Sequence, residues 1–241
     1  MRLSEKVKLP SNGVLYGKNI PTEVTVKEML ADEEACLYGS SSDKAITEIL
    51  NSVIEEDFDV DQLIIPDKHF LLVRARMLTY GTNYPLEINC SRCGNFQYDF
   101  DLNDLTVNEL DPAFEAEREI ELPRSKRKIT LRIPTGADLN NIEKEIKRKV
   151  MKFNLNEDKV RYVAGLVSSI SKIDGEDVFF DEAYQIVSDL SGYDISYLKR
   201  EINKVDVGYD TMITVECPKC GQEITLRLPM TADFFRAEFK D

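Results

Sequence analysis

The sequence predicts an α+β fold, in which helices combine with a small antiparallel β module assembled from two distant Cys-x-x-Cys hairpins. Three observations predict it. Apolar residues recur at helical spacing in several stretches, and short alternating segments separate those stretches. Cys90/Cys93 and Cys217/Cys220 each sit in a Cys-x-x-Cys-Gly turn between two alternating segments. The chain has 241 residues, 42% hydrophobic and 31% charged, which is enough apolar material for a real core and argues against disorder.

Residues 1–25 read as an extended N-terminal arm, with turn chemistry at Pro10-Ser11-Asn12-Gly13 and alternation through Glu23-Val24-Thr25-Val26. The arm is too short to form a core alone. It is expected either to add to a partner's sheet edge or to pack on its own domain. A helical segment covers 26–82. Its first helix runs Lys27–Tyr38 and ends at Gly39. Ser42 or Asp43 caps the second, which carries Ile46, Ile49, Leu50 and Val53. Asp67 caps the third, which stops at Gly81.

β patterning takes over across 83–136 and returns over 206–241, as Thr211–Glu216 and Glu223–Leu228 around the second cysteine pair. Between them, 137–205 reads as a helical insertion. Asp138 opens a helix with Leu139, Ile142, Ile146, Val150 and Phe153 on one stripe. Others cover 157–171, Phe180–Leu190 and Ser196–Val205, the last opened by Asp194 or Ser196.

An imperfect repeat links the two β regions. Glu87–Gly94 parallels Thr214–Gly221, and Ile129-Thr130-Leu131-Arg132-Ile133-Pro134 parallels Ile224-Thr225-Leu226-Arg227-Leu228-Pro229. In each knuckle, two cysteines three apart aim both sulfurs at one point, and the glycine behind them lets backbone N–H groups approach the thiolates. Two knuckles supply the four ligands of a closed structural zinc site, so Cys90, Cys93, Cys217 and Cys220 are the expected ligands of one structural Zn2+. The pairs lie roughly 120 residues apart, against about 15–20 in a compact zinc ribbon. A looped-out helical segment accommodates that gap. Metal-free knuckles and a redox Cys-x-x-Cys are the competing readings, the second opposed by the hairpin context. Cys36 reads as a small core residue.

Several functions are disfavoured. The net charge of −13 opposes a general binder of nucleic acid or anionic membrane. No apolar run approaches the ~20 residues of a membrane span, and the N-terminus lacks a signal peptide's apolar region, so a soluble intracellular protein is expected. A single histidine, His69, leaves little for acid–base or nucleophilic catalysis, and no enzyme activity is expected. Asp99–Asp104 resembles half a calcium loop, but Asp104 stands where glycine is required and Leu110 where the bidentate glutamate belongs. The run Lys144–Lys152 reads as the solvated face of an amphipathic helix.

The segment Leu9-Pro10-Ser11-Asn12-Gly13-Val14-Leu15-Tyr16-Gly17, the Tyr80-Gly81 helix end, and Cys217-Pro218-Lys219-Cys220-Gly221…Leu228-Pro229…Phe234-Phe235 together resemble a phage tail family. That family is the baseplate hub and hub-assembly proteins of T-even-type contractile-tailed bacteriophages. The resemblance implies a structural or assembly role exercised through other baseplate and tail proteins, without nucleic acid or membrane. It implies residence in the host cytoplasm during assembly, then either a place in the tail baseplate or departure as a chaperone. It carries over no catalytic residue. The alternative from another class is a zinc-ribbon adaptor for nucleic acid or a host factor, which the charge disfavours.

Overall fold

The structure, a computed structural model, describes residues 2–17, 19–39, 42–228 and 234. The side chains of Ser42 and Asp43, and Pro229, Ala232, Asp233 and Phe235 of the closing motif, lie outside the described residues.

Strands Ser4–Lys8 (β1) and Glu23–Lys27 (β2) form an antiparallel hairpin, followed by helices Ala31–Gly39 (α1), Ser42–Val53 (α2) and Ile65–Tyr80 (α3). Then come Asn83–Cys90 (β3), Gly94–Asp101 (β4), Val107–Asn108 (β5), Arg118–Glu121 (β6) and Lys128–Leu131 (β7). Helices Gly136–Phe153 (α4) and Glu157–Val167 (α5), strands Ile170–Ile173 (β8) and Glu176–Asp177 (β9), and helices Phe180–Ser188 (α6) and Gly192–Ile202 (α7) follow. Gly208–Tyr209 (β10), Met212–Glu216 (β11) and Glu223–Arg227 (β12) close the chain. β3–β4, β11–β12 and β10–β5 are two-stranded, whereas β6-β7-β8-β9 make one four-stranded antiparallel sheet.

Of the two expectations for the N-terminal segment, the structure shows the second: it packs on its own domain as part of the core. Leu9, Val24 and Val26 are fully buried, and Val7, Tyr16 and Ile20 nearly so, in one cluster with residues of α2 and α3. Its loop is closed by polar contacts. Burial favours them because a buried donor or acceptor without a partner costs free energy. The Tyr16 hydroxyl donates to Asp67 Oδ2 at 2.6 Å and accepts the Ile64 N–H at 2.9 Å, while the Ser11 N–H donates to Asp67 Oδ1 at 3.1 Å. Asp67 therefore does not cap α3. Ile64 holds the cap position without a side-chain bond, and Pro66 supplies the first turn. Gly13 is required twice over: its φ is +70°, and a Cβ there would collide with Thr22 Cγ2.

Three other expectations shift. β2 takes residues up to Lys27, so α1 begins only at Ala31. The helix expected over 157–171 ends at Val167, because Ile170–Ile173 pairs with β7. Thr135 and Ser191, rather than Asp138 and Asp194 or Ser196, cap α4 and α7. Asp138 completes a capping box, and Asp194 instead accepts the Arg124 and Ser125 N–H groups.

Two cores result. The first joins the N-terminal hairpin, α2, α3 and both cysteine hairpins. The second gathers Ile120, Leu122, Ile129 and Leu131 with residues of α5, β8, α6 and α7, so β6 and β7 pack with the helical insertion. A satellite cluster of Ile146, Val160 and Ala164 lies between α4 and α5. The chain leaves the first core at β5 and returns at β10, and these two strands pair directly, Asn108 opposite Gly208. The long detour therefore begins and ends at one rung.

Candidate metal centre

Each cysteine pair sits at the end of a hairpin. β3 and β4 stay in register up to Cys90 opposite Gly94, and β11 and β12 up to Glu216 opposite Glu223. Gly94 and Gly221 both have positive φ, +77° and +69°, which reverses the chain tightly enough for the backbone to face the sulfurs. In the second turn the Cys217 N–H donates to the Gln222 carbonyl and the Gly221 N–H to the Cys217 carbonyl, both at 2.9 Å.

Packing of the hairpins against the first core brings the two turns together. Leu86, Ile88 and Phe100 of one and Ile213 and Val215 of the other are buried there. The Sγ atoms of Cys90, Cys93, Cys217 and Cys220 all lie within 4.8 Å of one another. Cys90 and Cys220 Sγ are 3.8 Å apart. Thiolates ~2.3 Å from a tetrahedral ion lie ~3.8 Å apart, so the spacing suits four ligands around one centre. Cys90 and Cys217 are buried, Cys93 half-buried and Cys220 exposed, giving a site on the rim of the core.

The electrostatics point the same way. The Arg92 N–H, chiefly, and then the Cys93 N–H hold the Cys90 thiol down at about 7, against the opposing effect of burial. Its neighbour Cys93 is pushed up to about 12, first by hydrogen bonding with Cys220 and then by burial. The backbone thus favours one thiolate, and crowding of sulfur opposes a second. A divalent cation at the centre reverses that opposition, since a coordinating thiol is deprotonated outright. These four cysteines could hold a metal ion.

Across the chain, a family model described as T4 bacteriophage base plate protein matches residues 1–236. The chain belongs to that family. No curated protein and no solved structure matches it. In this T4-type phage baseplate protein, the four cysteines lie together on the two hairpins that flank the long detour.

The internal repeat is structural only in its first half. The hairpins β3–β4 and β11–β12 correspond around their Cys-x-x-Cys-Gly turns. The similar strands at 129–133 and 224–228 do not, since β7 pairs with β6 and β8 in the second core while β12 pairs with β11. Two further residues of the centre have no signal in the cysteine spacing. Gln222 reaches across from the second turn, its Oε1 3.7 Å from Cys90 Sγ and 3.3 Å from Ser91 Oγ. Its position directly behind Cys220-Gly221 is the one clue the sequence offers.

The other residues singled out lie elsewhere. His69 is half-buried near the start of α3. Cys36 packs against the first core. Asp101 ends β4 and caps a short 3₁₀ turn by accepting the Asn103 N–H, so the calcium-like segment is strand and turn. Within the basic run, Arg148 pairs with Glu145 and Asp181, and Lys149 is largely buried with its ammonium on Asp181 at 2.8 Å. Among the described residues no helix is long and apolar enough to cross a membrane.

Proposed function

We propose that this baseplate protein is a structural or assembly component of the hub region, acting through protein–protein contacts and bearing one structural Zn2+ on Cys90, Cys93, Cys217 and Cys220. The observation that carries the metal reading is the convergence of four sulfurs from turns far apart in sequence, at the spacing of a tetrahedral site. Two thiolates alone leave zinc open to water, whereas four close its coordination shell. Such an all-protein shell leaves no position for substrate, so the ion's role is to staple the hairpins. Partners are other tail proteins, and the protein works in the baseplate or on its way there. The −13 charge weighs against the nucleic-acid adaptor.

Elemental analysis of the purified chain tests this. One equivalent of zinc per chain is expected, removed by chelator with loosening of both hairpins together. No metal, iron in its place, or two ions lost independently refutes the site. Absence of the protein from every purified tail-assembly intermediate and from the finished baseplate refutes the assembly role.

A further inference from the structure

We propose that the long detour, residues 118–202, is a second unit that swings on a narrow joint against the unit bearing the cysteine cluster. The two main cores share no buried residue. One is built from residues up to Leu110 and from Val207 onward, the other from Ile120 to Leu198. The chain passes between them through 111–117 and 203–206, on either side of the β5–β10 rung. Within the second unit, the four-stranded sheet, α5, α6 and α7 enclose one core, and Arg118 is tied to Glu201 at 3.2 Å. That unit therefore moves as one body.

Direct contacts between the units concentrate at one place. Among the described residues, the hydrogen bonds that join them all fall at the start of α4. The Ile65 N–H donates to the Pro134 carbonyl at 3.4 Å, the Gly136 N–H to the Leu63 carbonyl at 3.0 Å, and Asn140 Nδ2 to Asp61 Oδ2 at 2.9 Å. Asp61 is firm on the first unit's side, since Lys68 Nζ and Thr47 Oγ1 donate to it at 2.6 and 2.8 Å. The ion pairs among the described residues are internal to one unit or the other, as with Lys68–Asp61 in the first and Arg132–Asp138 in the second. The β5–β10 rung also sits by the start of α3, where Gly208 faces Pro66. All attachments thus gather in one neck around Ile64–Pro66.

On both sides of the link 132–135 the space between the units is open. A cleft of about 590 Å³ separates Pro66 and Val207 of the first unit from Leu131 and Ile202 of the second. Another, of about 520 Å³, lies between Tyr16, Ile20 and Phe58 and the link itself. Ala116, Arg132 and Ile133 form a wall common to both. Packed interiors hold few voids larger than a water molecule, so the units are not packed on one another here. Without a large apolar seam, relative motion of two units is the default. A hinge needs only a few residues at element ends to absorb the change of angle, and 111–117, 203–206 and the first turn of α4 supply them. Rotation closes one cleft as it opens the other and leaves the hydrogen bonds inside each unit intact.

The test is pulsed dipolar spectroscopy on the full-length, metal-containing chain. Nitroxides are carried on a ketone-bearing amino acid, which leaves the cysteines untouched. One pair of labels replaces the exposed Asp99 and Phe179, one in each unit, and a control pair replaces Met151 and Tyr193, both in the second. The distance distribution between units is expected to be about twice as wide as the control's, because hinge motion far slower than freezing is trapped as a spread of angles. Asn140→Ala, at a half-buried position, removes the side-chain bond between the units. It should widen the inter-unit distribution further while metal content and the control pair stay at wild-type values. A wild-type distribution as narrow as the control overturns the swing, whatever the variant does. A broad one that Asn140→Ala leaves unchanged overturns the placing of the joint's anchor at α4.

Discussion

Replacing Tyr16 by Phe removes one oxygen from the contact that fastens the N-terminal hairpin to α3, and the structure sets its consequence. That hydroxyl donates to the buried Asp67 carboxyl at 2.6 Å and accepts the Ile64 N–H at 2.9 Å. Asp67 would keep the Ser11 N–H, but the Ile64 N–H would have no protein acceptor in a site where Ile64 and Asp67 are both buried. A hydrogen bond to a charged group contributes ~1.5–3 kcal/mol, and an orphaned buried donor costs ~1–3 kcal/mol. The combined loss is about 3–5 kcal/mol, which at ~2–4 °C per kcal/mol for a chain of this size lowers Tm by about 10 °C. pH adds a second signature. Burial, the dominant cause, pushes the Asp67 carboxyl above its ordinary range, opposed by its bonds to Ser11 and Tyr16. A carboxyl raised in the folded state contributes stability that is full below ~4 and is lost as pH rises through its folded value. Tyr16→Phe removes one of the opposing bonds and raises it further. The variant's deficit should therefore be largest at pH 7–8 and shrink toward pH 4. Calorimetry of both proteins across that range is the assay. A variant melting within ~2 °C of wild type at pH 7.5 would refute the reasoning and return the segment to the role of a loosely attached arm.

Cys217→Ser should abolish metal binding and, by opening a cross-link that spans over 100 residues, cost ~5 kcal/mol in the chain-entropy picture; elemental analysis with urea unfolding reads both, and full zinc retention contradicts the shared site. Gln222→Leu should leave one equivalent bound but weaken retention about tenfold in competition with a chromogenic chelator, because it removes the polar group that spans Cys90 and Ser91; unchanged affinity would show that contact to be incidental. Gly13→Ala should lower Tm by several degrees, since it forces a Cβ against Thr22 at positive φ, whereas Gly165→Ala, in α5 with open space around it, should not. His69→Ala should leave tail assembly intact, and a folded variant that fails to assemble would reopen the question of chemistry at that residue.

What was legible in the sequence was local. The Cys-x-x-Cys-Gly turns could be read because two sulfurs and a following glycine have few structural explanations. The face of α2, the stop of α3 at Gly81 and the strands around Cys217/Cys220 followed from periodicity and turn chemistry, whereas α3 is buried on nearly every side and has no single face to read. The family was legible too, in motifs at both ends of the chain. Pairing partners were not. Ile129–Leu131 and Ile224–Leu226 share a pattern, yet they settle in different sheets, because alternation says which face of a strand is buried and nothing about which strand lies beside it. For the same reason Ile170–Ile173 reads as the continuation of a helix until β7 offers it an edge. The N-terminal segment looked too short for a core of its own. It becomes core only because α3 presents Asp67 to Ser11 and Tyr16 and an apolar face to Leu9 and Val24. The cysteine cluster itself belongs to both levels. Its residue types are written in the sequence, but their convergence depends on both hairpins packing on the first core from either side of a detour of about 100 residues. Loop closure over that span costs entropy that no local pattern records, and two packed cores repay it.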